Sequence, residues 1–160
     1  MGGGPSSAVA ALATAGGSQL GFATFRATSK GVLVAVDVAG LPPNSSHGLH
    51  VHELGDLRDG FASLGAHYDP GQRKTHGGAH GLARHAGDFG SLQTDGAGAA
   101  SLRALYPELR LGDLLGRSVV LHAGADDLGR GRGPQRAESL KTGNSGARLA
   151  AGVIGLAAPA

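Results

Sequence analysis

Histidine is the residue type through which this sequence could do chemistry. Seven of the eight histidines fall between positions 47 and 85, and the eighth is His122. The triplet His50-Val51-His52 would place both imidazoles on one face of a β-strand and the valine on the other, because strand side chains alternate with a period of two. Two ring nitrogens on one face can converge on a single metal ion.

A second group of possible ligands follows along the chain. Its members lie in or at the end of a stretch without hydrophobic periodicity, where a bound ion could replace the apolar core that the stretch lacks: His67, His76, His85 and Asp88. Three imidazoles and one carboxylate are a plausible tetrahedral set for zinc. The sequence therefore predicts a metal-binding protein.

Two of the histidines are not expected to bind metal, and the lack of cysteine removes thiolate ligands. We expect His80 to be a solvated loop residue and His47 to form structural hydrogen bonds. The chain contains no cysteine, which excludes disulfides, iron–sulfur clusters and thiolate zinc sites. Any metal must therefore be bound by histidines and carboxylates.

The elements that must position these residues are predicted to be strands. Glycine supplies 30 of 160 residues, far above the average of ~7%, which favours many turns over a helical bundle. Short apolar runs bounded by turn residues predict eight strands, at 8–13, 20–27, 32–38, 48–52, 88–93, 99–105, 118–122 and 148–156. The valines at alternate positions from Val32 to Val38 share one face. The expected fold is all-β, an eight-stranded antiparallel Greek-key barrel or sandwich.

Two long segments interrupt this pattern, at 53–86 and 123–147. Loops of this length are uncommon in a compact domain unless they are functional, and the first one holds most of the histidines. We therefore predict two functional loops on one domain, residues 8–160, preceded by a flexible tail at 1–7.

Composition excludes several classes of function. The formal charge is +2 and no basic block is present, so binding to nucleic acid is not predicted. No apolar run is long enough to cross a bilayer, and the first residues do not resemble a secretory signal. A loose acylation pattern at Gly2 and Ser6 is attributed to chance. We expect a cytoplasmic protein without a membrane span.

Seven motifs in order along the chain carry a specific resemblance. They are GLHVHELGD at 48–56, GAHYDP at 65–70, HGG at 76–78, RHAGDFG at 84–90, GRSVVLH at 116–122, ADDLGRG at 125–131 and KTGNSGARLA at 141–150. Together they resemble the copper/zinc superoxide dismutase family, over about residues 8–156. The resemblance implies an enzyme that converts superoxide to oxygen and hydrogen peroxide by cycling a histidine-bound copper, with zinc as its structural partner.

The resemblance also implies roles for individual residues. The implied copper ligands are His50, His52, His67 and His122. The implied zinc ligands are His67, His76, His85 and Asp88, so that His67 is shared and also serves as a proton carrier. Asp126 corresponds to the carboxylate that links His50 and His76, which fixes the tautomers of both rings. Arg148 corresponds to the arginine that attracts and orients the anion, and Glu138, Lys141 and Thr142 fall at the channel rim.

One departure from the family concerns stability. Members normally carry a disulfide between the metal-binding loop and the last strand, and here the corresponding positions are Phe61 and Ala151. Such a bond contributes ~2–4 kcal/mol, chiefly by restricting the unfolded chain. We expect packing of Phe61 near Ala151 to compensate in part, since burying a phenylalanine is worth ~1.5–3 kcal/mol.

The resemblance implies superoxide as substrate and predicts a homodimer. Two other interpretations remain open at this stage. One is a catalytically inactive relative that sequesters copper or a copper chaperone, which the loss of the disulfide positions favours. The other is a structural β-sandwich whose histidines bind nothing. The predicted ligand set, together with Asp126 and Arg148, argues for the enzyme.

Overall fold

A computed structural model describes residues 3–71, 74–81 and 83–159. Its nine strands are β1 Ser7–Thr14, β2 Gln19–Thr28, β3 Gly31–Val38, β4 Ser46–His52, β5 Asp88–Gln93, β6 Ala100–Tyr106, β7 Ser118–His122, β8 Arg148–Val153 and β9 Gly155–Leu156. The helices are α1 Leu111–Leu114 and α2 Arg136–Thr142, with single 3-10 turns at Ala62–Leu64 and Gly133–Gln135. No helix among these described residues is long and apolar enough to cross a membrane.

The strands form one antiparallel sheet that curls into a nearly closed barrel. The order is β5-β4-β7-β8-β1-β2-β3-β6, and the short β9 pairs with β1. The chain crosses the barrel between β3 and β4 and again between β5 and β6, because β6 pairs with β3 rather than with β5. This connectivity is a Greek key, and the predicted all-β class is confirmed.

Side-chain alternation explains where the core lies. Val32, Val34, Val36 and Val38 are all no more than 5% exposed, whereas Asp37 between the last two is exposed. The same alternation buries residues of β1, β2, β4 and β7. Small and branched side chains therefore fill a barrel interior that contains few aromatic rings, as the composition predicts.

Most predicted strands agree with the structure to within one or two residues, but the last one was wrong as a single element. It breaks at Ile154, whose side chain turns into the core while its backbone exchanges hydrogen bonds with Gly116 and Arg117. Consequently β8 pairs with β7 and β9 pairs with β1. The two short helices were also not predicted.

The N-terminal strand starts slightly earlier than expected. It begins at Ser7, and the carbonyl of Ser6 already accepts a hydrogen bond from the amide of Ala27. The acylation pattern at Gly2 lies outside the described residues.

Backbone hydrogen bonds fasten both long loops to the barrel. In the first loop, Tyr68 donates to the carbonyl of Val51, and Val51 donates to that of Gly87. In the second, the carbonyl of Gly124 accepts from Gly48. The loops also hold each other, because the amide of His76 donates to the carbonyl of Leu140. Both loops therefore cover the same face of β4.

Barrel closure between β8 and β1 depends on a glycine. A Cβ atom at Gly152 would lie 2.1 Å from the carbonyl oxygen of Ala11 on β1, closer than any ordinary contact. The missing side chain lets the two strands approach, and this joins the half of the barrel that carries the histidines to the other half.

We therefore expect Gly152→Ala to lower the free energy of unfolding by about 1–3 kcal/mol, the usual cost of overpacking. Gly155→Ala is the matched control, because nothing lies within 4 Å of a Cβ there. Urea unfolding of both variants measures the difference. Equal midpoints would show that β8 and β1 are free to move apart.

Candidate metal centre

Side chains of strand β4 alternate between the barrel core and the cluster of histidines. Leu49 and Val51 point into the barrel core, so His50 and His52 lie on the opposite face, where the two loops bury them. Strand β7 pairs beside β4, with Val120 opposite His50. His122 follows two residues later on the same face as Val120 and brings a third imidazole to the group.

Backbone carbonyls determine which nitrogen of two of these rings carries the proton. His52 Nδ1 lies 2.9 Å from the carbonyl of Gly65, and His122 Nδ1 lies 3.0 Å from that of Gly146. A carbonyl oxygen can only accept, so each Nδ1 must be the donor. The lone pair on each Nε2 is then free to bind a metal, as is usual for ligating histidines whose other nitrogen is hydrogen-bonded.

Asp126 determines the protonation of two further rings. Its carboxylate oxygens accept from Nε2 of His50 at 2.7 Å and from Nε2 of His76 at 2.6 Å. Gly143 makes this arrangement possible, because a Cβ there would lie 2.2 Å from Asp126 Oδ1 and 2.4 Å from His76 Nε2. The Nδ1 lone pairs of both rings therefore face away from the carboxylate.

Four buried ring nitrogens have no hydrogen-bond partner within the described part of the chain: His50 Nδ1, His52 Nε2, His67 Nε2 and His122 Nε2. A fifth, His76 Nδ1, has only the carboxylate of Asp88 beside it, at 2.9 Å. An unpaired buried polar atom is costly, and four in one cluster are explained if they bind cations. The rings of His50, His52, His67 and His122 offer ligand atoms that lie within 4.8 Å of one another. This is the set that the resemblance implies for copper, and its geometry fits a metal ion.

The residues assigned to zinc also converge. Asp88 Oδ1 lies 2.9 Å from Nδ1 of His67, 2.9 Å from Nδ1 of His76 and 3.4 Å from Nδ1 of His85. His67 Nδ1 and His85 Nδ1 are 3.4 Å apart. Ligands at ~2.0 Å from a tetrahedral zinc are separated by about 3.3 Å, and these four distances of 2.9–3.4 Å are close to that spacing. His85 is the outermost member, since the tightest group of ligand atoms holds His50, His67, His76 and Asp88.

His67 is the ring that the resemblance assigns to both metals, and its ligand atoms, like those of His50, belong to both groups of converging atoms. His67 directs Nδ1 toward Asp88 and buries an unpartnered Nε2 on the side of the copper set. His50 stacks on it with ring centroids 3.9 Å apart, and His50 also lies within 4.8 Å of His67, His76 and Asp88. The two candidate sites are therefore contiguous.

Asp88 is oriented by groups that the sequence did not reveal as important. Its second oxygen accepts hydrogen bonds from the amides of Gly77 and His85, at 3.1 and 2.9 Å. The buried guanidinium of Arg84 donates to the carbonyls of Ala86 and Asp88 and pairs with Glu108. These contacts leave Asp88 Oδ1 free to face the imidazoles.

Burial keeps the copper-side rings neutral. Loss of hydration lowers the pKa of His50 to about 3, of His52 to about 2 and of His122 to about 4. The same cause lowers the pKa of His67. Neutral imidazole is the form that binds metals, so burial is the main cause that prepares these four rings.

The carboxylates of the site stay ionised, although burial opposes this. For Asp88, burial raises the pKa, but hydrogen bonds from His67, His76 and His85 outweigh it and lower the value well below its usual range. Burial and hydrogen bonds from His50 and His76 compete in the same way at Asp126, whose pKa falls to about 2. Burial also disfavours charge on His76, but hydrogen bonds to the two carboxylates raise its pKa to about 9.

A cavity of about 570 Å³ connects the copper-side rings to solvent. His52, His67 and His122 line its floor, and Arg148, Lys141 and Thr142 line its walls. Glu138 is part of the same rim and accepts a hydrogen bond from the Thr142 hydroxyl. Burial lowers the pKa of Arg148. The ordinary pKa of a guanidinium is so high that the group nevertheless keeps its charge.

The two histidines excluded as ligands lie where the sequence placed them. His47 is buried, with Nδ1 donating to the carbonyl of His122 at 2.8 Å, so it forms a structural hydrogen bond. His80 is exposed and stacks on Tyr106. A further feature missed at the sequence level is Ser91, whose hydroxyl accepts from the amide of Asp126.

A Greek-key barrel that gathers imidazoles and a carboxylate under two loops defines a histidine-based metalloprotein. The family model of copper/zinc superoxide dismutase matches residues 19–154. A superoxide dismutase [Cu-Zn] of Yarrowia lipolytica is 46% identical over 86% of this chain and 90% of its own length. The superoxide dismutase [Cu-Zn] of Paramecium bursaria Chlorella virus 1 is 43% identical over 93% of this chain and 79% of its own length.

A solved structure shares the fold. The crystal structure of the clock protein EA4 has a TM-score of 0.85 and 38% identity, covering 98% of this chain and all of that one. This chain belongs to the copper/zinc superoxide dismutase family. The predicted family is confirmed, and the family's metals are copper and zinc.

The separate ligand sets predict separate consequences of mutation. We expect wild-type protein to hold one copper and one zinc per chain. His122→Ala removes a nitrogen that only the copper set uses, so it should abolish copper binding and activity while zinc stays bound. Asp88→Ala removes the only anionic zinc ligand and should mainly weaken zinc.

Elemental analysis and zinc titration of the two variants measure these effects. His80→Ala is the control, because that imidazole contacts neither set. Equal losses of zinc affinity in His122→Ala and Asp88→Ala would contradict the assignment of ligands.

Proposed function

We propose that this chain is a superoxide dismutase that converts superoxide to oxygen and hydrogen peroxide. The observation that carries the proposal is the placement of His67, whose two nitrogens serve two adjoining ligand sets at the floor of an open cavity. A metal on the zinc side alone would leave Nε2 buried and unpaired, because only Nδ1 has a partner in the protein, the carboxylate of Asp88.

Copper is proposed to bind His50, His52, His67 and His122, and zinc His67, His76, His85 and Asp88. When bound, copper supplies one-electron redox chemistry between its cupric and cuprous states, and zinc supplies a fixed positive charge. The hydrogen bonds that Asp126 and the loop carbonyls accept from the imidazoles hold the rings before the metals arrive. This preorganisation limits the ordering that metal binding must impose.

Arg148 is proposed to attract and orient the anion. Its guanidinium lies in the cavity wall, and its charge helps to keep the neighbouring rings of His52 and His122 neutral. A planar guanidinium can donate two parallel hydrogen bonds to a small anion. Lys141 on the same rim adds positive charge near the entrance.

His67 is proposed to carry a proton during turnover. Its Nε2 is buried beside the cavity that Arg148 also lines. Nδ1 is held on the zinc side, 2.9 Å from Asp88, so the ring would keep its orientation whenever Nε2 is released from copper and takes up a proton in its place. Dismutation consumes two protons, and this atom can deliver one of them.

The inactive metal-binding alternative lacks a comparable observation. A protein that only stores or sequesters copper needs the ligands but does not need a guanidinium in the wall of a solvent-open cavity. The position of Arg148 therefore favours catalysis, and the disulfide-free loop is accounted for by local packing of Phe61, Leu64, Val120 and Ala151.

We further propose that the chain forms a homodimer. Leu54 and Val153 are 48% and 38% exposed, and Gly55 lies against both Gly116 and Val153, so the two side chains belong to one apolar surface. Light scattering should give twice the chain mass of 15.8 kDa. Val153→Glu should give the single mass, whereas Phe22→Glu on β2 should not. A monomeric wild type would contradict the proposal.

A cytoplasmic location is proposed on the absence of cysteine, because a reducing compartment offers no benefit from disulfides. Fractionation of the cells that express the protein tests it. Recovery in the medium would contradict it.

The role of Arg148 predicts a graded effect on rate. Arg148→Glu should slow dismutation by the metal-loaded protein strongly, while both metals stay bound, because the guanidinium is not a proposed ligand. Arg148→Lys should fall in between, since it keeps the charge and loses the planar fork. The wild-type rate should fall with ionic strength, because screening acts over ~8 Å at physiological salt.

Pulse radiolysis at several salt concentrations measures these rates, and Arg103→Glu on the distant strand β6 is the charge-matched control. A rate indifferent to Arg148→Glu and to salt would contradict steering by this residue. Inactivity of wild-type protein with both metals bound would favour the metal-binding alternative.

A further inference from the structure

The guanidinium of Arg148 rests on one short segment of the first loop. Its Nη1 donates to the carbonyl of Phe61 at 2.6 Å, and its Nη2 donates to that of Gly65 at 2.7 Å. These two carbonyls flank the single 3-10 turn Ala62–Leu64. The orientation of the guanidinium therefore depends on where this turn lies.

Apolar side chains hold the turn in place together with a few hydrogen bonds, such as the one from the amide of Leu54 to the carbonyl of Leu64 at 3.0 Å. Its internal bond from Leu64 to Phe61 is long, at 3.3 Å, and 3-10 turns have poorer hydrogen-bond geometry than α-helices. Residues three apart eclipse in such a turn, so Phe61 and Leu64 project on one side. Both pack on Val120 of β7 and Ala151 of β8, in an apolar cluster separate from the barrel core.

We propose that Phe61 is a positioning residue for Arg148, because its ring anchors the carbonyl that orients the guanidinium in the cavity wall. The ring and the acceptor belong to the same residue, so a displaced ring displaces the hydrogen bond. With no cysteine in the chain, this apolar contact replaces any covalent link between the turn and β8. The proposal deepens the proposed function, since it rests on the role given to Arg148.

The test compares Phe61→Ala with wild type by two measurements that do not depend on turnover. The first is the ¹⁵N heteronuclear NOE of Arg148 Nε in protein loaded with both metals and kept reduced, where copper is diamagnetic. The second is the affinity of azide, a small monoanion, followed by the visible absorption of the oxidised protein. We expect a lower NOE and azide binding weaker on the order of tenfold, with metal content unchanged.

Two further variants separate positioning from stability. Phe61→Leu keeps an apolar side chain on the cluster and should restore both readouts nearly to wild type. Phe25→Leu trims the barrel core on β2, far from the turn, and should lower the thermal midpoint without changing the NOE of Arg148 or the affinity of azide.

An unchanged NOE and unchanged azide affinity in Phe61→Ala would overturn the proposal. So would an equal loss in Phe25→Leu, because the effect would then follow stability alone. Across the wild type and these variants, the dismutation rate should decrease in parallel with the affinity for azide. If wild-type protein does not dismute superoxide, the proposed function fails, but the NOE series still decides whether Phe61 positions Arg148.

Discussion

The constraint on which the whole site depends is that each buried imidazole must present a lone pair, not a proton, to the space where a metal would bind. A neutral imidazole carries one N–H proton. A hydrogen-bond acceptor beside the nitrogen that faces away from the metal space fixes the proton on that nitrogen and leaves the lone pair on the other. The barrel does this with the carbonyls of Gly65 and Gly146 for His52 and His122, and with Asp126 for His50 and His76. Every acceptor belongs to a loop or a strand end, so the chemistry of the rings is governed by the path of the backbone.

This constraint explains why a rigid barrel carries two long loops. Strands β4 and β7 place three imidazoles by simple alternation, but strands alone expose them to water on one side. The loops supply the acceptors and the remaining ligands, and they remove the water. Since removing water also makes an ionised histidine costly, the same burial that protects the site keeps the copper-side rings neutral.

Much of this arrangement could be predicted from the sequence because it follows from short spacings. The faces of β3 and β4, the convergence of His67, His76, His85 and Asp88, and the separate fates of His47 and His80 all follow from alternation and loop composition. The break at Ile154 could not be predicted, because Val153, Ile154 and Leu156 read as one apolar run and only tertiary pairing divides them. The sequence also did not reveal the carbonyl of Gly65 as an acceptor or the backbone amides that donate to Asp88. Every residue has such backbone groups, and only the path of the chain in space decides which of them form these bonds.

Because the chain has no cysteine, apolar packing must hold the first loop against β8 where a disulfide could otherwise do so. The turn that supports Arg148 must be held against β8, and here the contact is apolar burial of Phe61 and Leu64. A covalent bond stabilises mainly by restricting the unfolded chain, whereas apolar packing acts only in the folded one. A packed contact also does not depend on the redox state of the compartment. The geometry of Arg148 is thereby linked to the folding of the loop itself, because the ring that packs and the carbonyl that accepts belong to one residue.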